Sequence, residues 1–125
     1  MVAAILPRTL AYKDQAIHNY DCLLTIDKSI YIDWVIIMSF YTALHYVSAH
    51  AIQNGVNLQP QRSDRYSPHR KRSRYVRKYI NSKFTDYERL FQECNSARYD
   101  PMYFSRFKGN VNDLISIAND FKTII

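Results

Sequence analysis

The fold is decided by residues 33–54, which read DWVIIMSFYTALHYVSAHAIQN and are followed by Gly55. A helix built from this stretch carries apolar side chains around most of its circumference. Such a surface is typical of a central helix that contacts neighbours on several sides. Asp33 is a favourable N-cap residue, and Gly55 suits the position just past a helix end. We therefore predict a long central helix over residues 33–54.

Two helices are predicted on either side of this one. Residues 9–28 have an apolar stripe of Leu10, Ile17, Tyr20 and Leu24, with Thr9 as the N-cap. Residues 55–67 contain Gly, Pro, Asn and Ser without a period, which indicates a long loop. Ser67 followed by Pro68 predicts the start of a helix that runs to about Asn81.

The C-terminal region of the chain adds two more helices. Thr85 and Glu88 form a capping-box pattern that opens a helix over residues 86–96. Residues 98–108 are aromatic and interrupted by proline, so we expect an extended or one-turn connection there. Asn110 or Asn112 caps the last helix. With no strand pattern, the sequence predicts one all-α domain over residues 1–125, an antiparallel up-and-down bundle of about five helices.

Composition narrows the class of protein. The chain has 125 residues, of which 47% are apolar, and only two glycines, which excludes general disorder and turn-dense β folds. Cys22 and Cys94 are too few for a disulfide scaffold and lack zinc-finger spacing, so we place both in the core. The longest uninterrupted apolar runs are far shorter than a membrane span, and no basic segment precedes the first one. We therefore expect a cytoplasmic protein without membrane contact, metal or cofactor.

The positive charge is concentrated in residues 62–78, which read RSDRYSPHRKRSRYVRK. This stretch carries eight basic residues and one acid, whereas the segments on either side are close to neutral. A basic block interleaved with aromatic residues favours a polyanionic partner, most plausibly nucleic acid. The alternative is a solvated helix face that only aids solubility. The candidate nucleic-acid-binding residues are Arg65, Tyr66, Arg70, Lys71, Arg74, Arg77 and Lys78. Two other tyrosines of the block, Tyr75 and Tyr79, we assign to the inward stripe of the third helix.

Three segments resemble HEPN domains, a family of higher eukaryote and prokaryote nucleotide-binding domains. Residues 39–55, SFYTALHYVSAHAIQNG, are similar to the second helix of that family, and His69 opens a third helix after a loop. Residues 96–101, SARYDP, are similar to an element that follows the fourth helix. The resemblance implies a helical bundle that often forms homodimers. Its members are either metal-independent ribonucleases or non-catalytic relatives that bind RNA or protein partners.

The resemblance also implies a candidate catalytic pair, because catalytic members carry an Arg-x(4–6)-His motif. Arg62 and His69 match it, with six residues between them. A histidine can exchange a proton with RNA near neutral pH, and an arginine can stabilise the charge that develops on the phosphorus centre. A structural role for His69 stays open, because the apolar face that includes Val76 extends backward through Arg72 to His69. Whether the protein is an endoribonuclease is therefore left open.

A second class of function is also consistent with the sequence. The chain can be a protein-interaction module of a toxin–antitoxin or defence-type system, in which the basic block docks an acidic partner. The wide apolar surface of the central helix favours such a role if one side is left for a partner or a second copy.

Overall fold

The computed structural model describes residues 4–125, and within that range regular structure is entirely helical. This confirms the all-α class. There are six α-helices, one of them a single turn, and two short 3₁₀ segments at Asn81–Lys83 and Phe121–Ile124. The α-helices are α1 (Pro7–Leu23), α2 (Ile32–Gln53), α3 (Pro68–Tyr79), α4 (Phe84–Tyr99), α5 (Tyr103–Arg106) and α6 (Val111–Asp120).

Helix α2 lies at the centre of the bundle, as its apolar circumference predicts. Twelve of its 22 residues are buried, and they face α1, α4 and α6. The Ser39 and Thr42 hydroxyls are buried without penalty, because each donates a hydrogen bond to the carbonyl four residues earlier. The core therefore forms around one helix.

Helix α2 is also long and apolar enough, by length and composition, to cross a membrane. The interrupted runs of the sequence hide this property, because Ser, Thr and His separate the apolar residues. In the structure, 67% of its most apolar window is buried inside the protein, as expected of a core helix.

Helix α1 is antiparallel to α2. At one end the Leu6 N–H donates to Gln53 Oε1 at 3.0 Å, and Gln53 Nε2 donates to the Ala4 carbonyl at 2.9 Å. At the other end Leu23 packs on Val35. The inward face of α1 consists of residues seven apart, Thr9, Ala16 and Leu23, all buried.

The predicted stripe of α1 is therefore wrong. Leu10, Ile17 and Leu24 are exposed, and Tyr20 is half-buried. The small side chains of Thr9 and Ala16 allow α1 to lie close to the small residues of α2. The packing gained by this close approach stabilises the fold more than burial of the larger apolar side chains one position further along α1 would. An exposed apolar stripe remains on α1.

Helix α4 packs against α2 through aromatic rings, and α3 covers the adjoining edge. The Phe40 ring lies 5.5 Å from the Tyr87 ring and 5.6 Å from the Phe91 ring, measured between centroids. Helix α3 is attached to the bundle chiefly by Tyr75 and Val76, its two buried residues. Helix α3, which carries six basic side chains, is thus anchored to the bundle by a small fraction of its surface.

Several predicted helix ends are confirmed. The Ser67 hydroxyl accepts a hydrogen bond from the Arg70 N–H, and Pro68 opens α3. The Asn110 side chain accepts from the Asn112 N–H at the start of α6. Gly55 follows α2 with a φ of 77°, a left-handed conformation that favours glycine.

Three predicted caps are wrong. Helix α1 begins at Pro7, so Thr9 lies inside it, and Asp33 lies in the first turn of α2 rather than before it. Helix α4 begins at Phe84, because the 3₁₀ turn at residues 81–83 leads directly into it, and it ends at Tyr99. The Glu88 carboxylate is therefore not a cap and instead accepts a hydrogen bond from the Ser73 hydroxyl of α3.

The cysteines differ from each other. Cys94 is buried as predicted, and burial raises the pKa of its thiol to about 11. Cys22 is exposed, which corrects its assignment to the core. It lies on the outer face of α1, next to Leu23, the residue that takes the inward position.

Candidate nucleic-acid interface

The outer face of α3 is a continuous basic surface. Four of its basic residues, Arg70, Arg74, Arg77 and Lys78, are exposed. They stand outside because the inward positions of this short helix are taken by Tyr75 and Val76. Among residues 4–125, none of these four has a carboxylate oxygen within 4 Å. Their charges are therefore available to an external anion.

Tyr66 organises two of these arginines. The guanidinium carbons of Arg70 and Arg74 lie 4.8 and 4.5 Å from the centroid of its ring. Both guanidinium groups are thus held beside one half-buried ring by cation–π attraction. The sequence leaves the role of Tyr66 undecided, whereas the structure places it between the loop and the exposed face of α3.

Lys71 differs from the other basic residues of α3. Its ammonium group donates to Asp64 Oδ1 and to the Gln59 carbonyl, both at 3.0 Å. The pKa of the Asp64 carboxyl is lowered, first by the hydrogen bond from the Gln61 N–H and then by Lys71. Lys71 therefore fastens the loop to α3, and its charge is already compensated.

Arg62 and Arg65 lie on the exposed loop before α3. Arg62 stands in a turn, seven residues from His69, and no hydrogen bond or ion pair within the described range joins the two side chains. Arg65 is close to Tyr66 in sequence and extends the basic surface beyond the helix. We define the α3 basic face as the six exposed cations of this region, namely Arg62, Arg65, Arg70, Arg74, Arg77 and Lys78.

His69 points toward the bundle, which confirms its predicted inward position. Its ring stacks on the Phe91 ring of α4, with the two planes only 7° apart. Burial lowers the pKa of His69, the Glu88 carboxylate partly opposes this, and the Arg72 guanidinium lowers it further. His69 is therefore neutral near pH 7, and its nearest charged neighbours are on α3 and α4 rather than in the loop.

Four residues form an interior polar cluster around Arg72. His45, His69, Arg72 and Tyr87 each have a buried nitrogen or oxygen atom with no hydrogen-bond partner in the stretch of chain that the structure describes. The charge of Arg72 lowers the pKa of both histidines. It also opposes the effect of burial on Tyr87, whose pKa is raised to about 12.

The sequence indicates only half of this cluster. The backward extension of the α3 apolar face reaches Arg72 and His69, but His45 and Tyr87 come from two other helices. No local spacing brings them together. His45 also lies beside the ring of Tyr12 on α1, at a centroid distance of 6.4 Å.

A groove runs between the end of α2, the loop after it and the second half of α3. It consists of a larger depression of about 600 Å³ and a smaller depression of about 410 Å³. Val56, Tyr75 and Tyr79 line both depressions, so the two adjoin each other. We name this feature the Tyr79 groove. Its other lining residues are Leu58, Lys71, Arg74, Arg77 and Lys78 in the larger depression and His50 and Asn54 in the smaller depression.

Tyr79 is 55% exposed, which corrects its assignment to the inward stripe, whereas Tyr75 is buried as predicted. Helix α3 ends at Tyr79, and the next residue, Ile80, takes the buried position instead. It leans on the Tyr75 ring at 4.9 Å, and the Lys78 ammonium lies 5.1 Å from its centroid. The exposed ring forms one wall of the groove.

The smaller depression of the groove has a defined set of hydrogen bonds. His50 Nδ1 lies 2.6 Å from the Tyr75 hydroxyl, and the Asn54 amide nitrogen donates to the His50 carbonyl at 2.7 Å. Burial lowers the pKa of His50, so its ring is neutral, and Nδ1 shares a hydrogen bond with the Tyr75 hydroxyl. Because the nitrogen of Asn54 is fixed by a carbonyl, its amide oxygen remains an acceptor for another donor.

Taken together, these features define a small helical-bundle protein with one strongly cationic face and an adjoining aromatic groove. Within residues 4–125, no group of three or more His, Cys, Asp or Glu side chains is arranged to hold a metal ion. Comparison with protein-family models, with curated proteins and with solved structures found no match to this chain.

Proposed function

We propose that this protein binds nucleic acid, specifically RNA, through the α3 basic face. The observation that carries the proposal is the set of exposed arginines and lysine on α3 without carboxylate partners. Surface cations clustered without carboxylate partners repel each other and create a positive potential, so binding of an anion there is favourable. The resemblance of residues 39–55 and 96–101 to HEPN domains favours RNA as that anion.

The arrangement of the arginines supports phosphate recognition. Arg70 and Arg74 are held side by side on Tyr66, which reduces the conformational entropy that binding would cost. A planar guanidinium donates two parallel hydrogen bonds to a phosphate, which a lysine ammonium does not. The proposal concerns binding, and cleavage of the bound RNA is a separate outcome that the same assay reports.

Filter binding of a labelled RNA at several salt concentrations tests the proposal. A variant with Arg70, Arg74 and Arg77 each changed to Gln should bind more weakly, and its dependence of log affinity on log salt should be shallower by about 2. The matched control changes three exposed cations outside residues 62–78, Arg8, Lys108 and Lys122, to Gln. It should retain the wild-type slope. Equal loss in both variants would assign binding to overall charge, and no binding at low salt would reject the function.

A second candidate function, self-association, is favoured by the exposed stripe on α1. Leu10, Ile17 and Leu24 are 47%, 40% and 57% exposed and lie seven residues apart. A seven-residue apolar repeat is the spacing through which helices pack on one another. The same stripe on a second copy is self-complementary across a two-fold axis, so a homodimer is the partner we propose for it.

Light scattering coupled to size-exclusion chromatography tests this second proposal. The wild-type chain should elute with the mass of a dimer, and Ile17→Glu should elute as a monomer, because a charge in an apolar interface is not compensated. His18→Glu, one position away and also exposed, is the control and should remain dimeric. A monomeric wild type would reject the homodimer.

A further inference from the structure

The Tyr79 groove differs from the rest of the basic face because it combines an aromatic wall, an apolar floor and a cationic rim. Val56 and Leu58 form the floor, and Leu58 is only 4% exposed. Arg74, Arg77 and Lys78 stand along one side. A volume of about 600 Å³ lies within the range of sites that accept a small planar ligand.

These features match the components of a nucleotide. An unpaired base presents two apolar faces and polar edges, and its phosphates lie to one side. The exposed face of Tyr79 is suited to stacking, and the Lys78 ammonium now above it can move to a phosphate. The unused amide oxygen of Asn54 can accept a hydrogen bond from a base N–H in the adjoining smaller depression.

We propose that the Tyr79 groove receives one unstacked base of a single-stranded nucleic acid whose backbone follows the α3 basic face. This inference rests on the proposed function and adds the substrate class, namely single strands rather than duplexes. In a duplex the bases are stacked and paired, so none enters the groove unless it is flipped out. Phosphate contacts alone, in contrast, do not distinguish the two forms.

The test measures binding of a short unstructured single-stranded RNA and of the blunt-ended duplex that this RNA forms with its complementary strand. Three variants are compared with the wild type. Tyr79→Ala removes the stacking surface, and Tyr79→Phe retains it. Tyr99→Ala is the matched control, because Tyr99 is also exposed, at 68%, and also has a cation beside its ring, Arg98 at 4.9 Å, but lies outside the groove.

Tyr79→Ala should weaken single-strand binding by about 5- to 150-fold. It should leave duplex binding unchanged, because no base of the duplex enters the groove, and it should leave the salt dependence unchanged, because no charge is removed. Tyr79→Phe and Tyr99→Ala should bind both RNAs like the wild type. The circular dichroism of each variant shows that the fold is retained.

The outcomes separate the two proposals. If neither RNA binds the wild type at low salt, the proposed function itself fails. If both RNAs bind and Tyr79→Ala changes neither, or weakens both equally, the basic face binds nucleic acid but the groove does not hold a base. If Tyr99→Ala has the same effect as Tyr79→Ala, the single-strand preference belongs to another surface and the inference is overturned.

Discussion

Helices α2 and α3 differ in burial and in charge. Helix α2 has 22 residues, twelve of them buried, and only one acidic residue in its first turn. Helix α3 has twelve residues, two of them buried, and six basic side chains. Helix α2 therefore contributes most of the packing, and α3 carries six of the chain's 17 basic residues and no acidic one.

This difference predicts which substitutions should change stability and which should change binding. Burial of apolar side chains stabilises the folded state, so changes in α2 should lower the free energy of unfolding strongly. Exposed charges contribute little to stability, so changes on the outer face of α3 should affect binding and leave the fold intact. The free energy of unfolding of suitable variants tests this separation between the two helices.

The largest effect is expected from Phe40→Ala in α2. Phe40 is 3% exposed and contacts the rings of Tyr41, Tyr87 and Phe91. Its loss should lower the free energy of unfolding by about 3–5 kcal/mol, as measured by urea denaturation. Trp34→Ala on the same helix, at a position 56% exposed, should cost about 0.5 kcal/mol. If both variants lost a similar amount of unfolding free energy, burial would not determine how much an α2 side chain contributes to stability.

A smaller effect is expected from His69→Ala, at the place where α3 stacks on α4. Loss of the ring on Phe91 should lower the free energy of unfolding by about 1–3 kcal/mol. His69→Phe should restore most of it, because it keeps the stacking surface and removes a buried nitrogen without a partner. If His69→Ala instead leaves stability unchanged and abolishes RNA cleavage, the histidine has the catalytic role that the Arg62–His69 motif implies.

Acid should weaken the protein through its buried histidines. Burial lowers the pKa of His45, His50 and His69 in the folded state, whereas the unfolded chain titrates near its ordinary value of about 6.5. As the pH falls from about 7 to 5, the unfolded state therefore takes up protons that the folded state does not. Stability should be constant above about pH 7 and decrease below it, and the decrease should be small because the three side chains are partly solvated.

Urea denaturation at several pH values measures this decrease. His45→Gln should make the pH dependence shallower, since one of the three groups no longer titrates. A pH dependence identical to that of the wild type would mean that His45 is as accessible to protons in the folded state as in the unfolded state.

The smallest effect on stability is expected from the triple variant of Arg70, Arg74 and Arg77 used in the binding assay. Its free energy of unfolding should stay within about 0.5 kcal/mol of the wild type. The lost attraction to Tyr66 is offset by relief of repulsion between like charges one turn apart, such as Arg70 and Arg74. A loss above about 2 kcal/mol would show that α3 depends on these residues for folding, and the separation between the two helices would fail.

Much of the fold follows from local sequence because its strongest signals are local. The apolar circumference of α2, the Ser67–Pro68 start of α3 and the glycine after α2 each depend on residues a few positions apart. The inward face of α1 does not. That face is determined by how closely Thr9 and Ala16 let α1 approach α2, which is a tertiary effect. Hydrophobic periodicity instead selects the larger apolar residues as the inward ones.

Some features of the candidate site can likewise be predicted from local sequence, and others cannot. The charge block is visible in the sequence, and so is the inward position of His69, since both follow from one helix. The Tyr79 groove and the interior polar cluster are not, because they depend on residues from several elements. Tyr79 is misassigned for a related reason: its helical position matches the inward stripe, but the helix ends there and Ile80 enters the core in its place.

The loop between α2 and α3 has a practical consequence. Arg62 and Arg65 stand exposed in it, and trypsin cleaves after arginine in such loops before it attacks helices. A cut there leaves two pieces, one with α1 and α2 and the other with α3 to α6, whose contacts lie in the shared core. We expect the two pieces to stay associated through that core after cleavage, and bound RNA to slow cleavage at the same arginines.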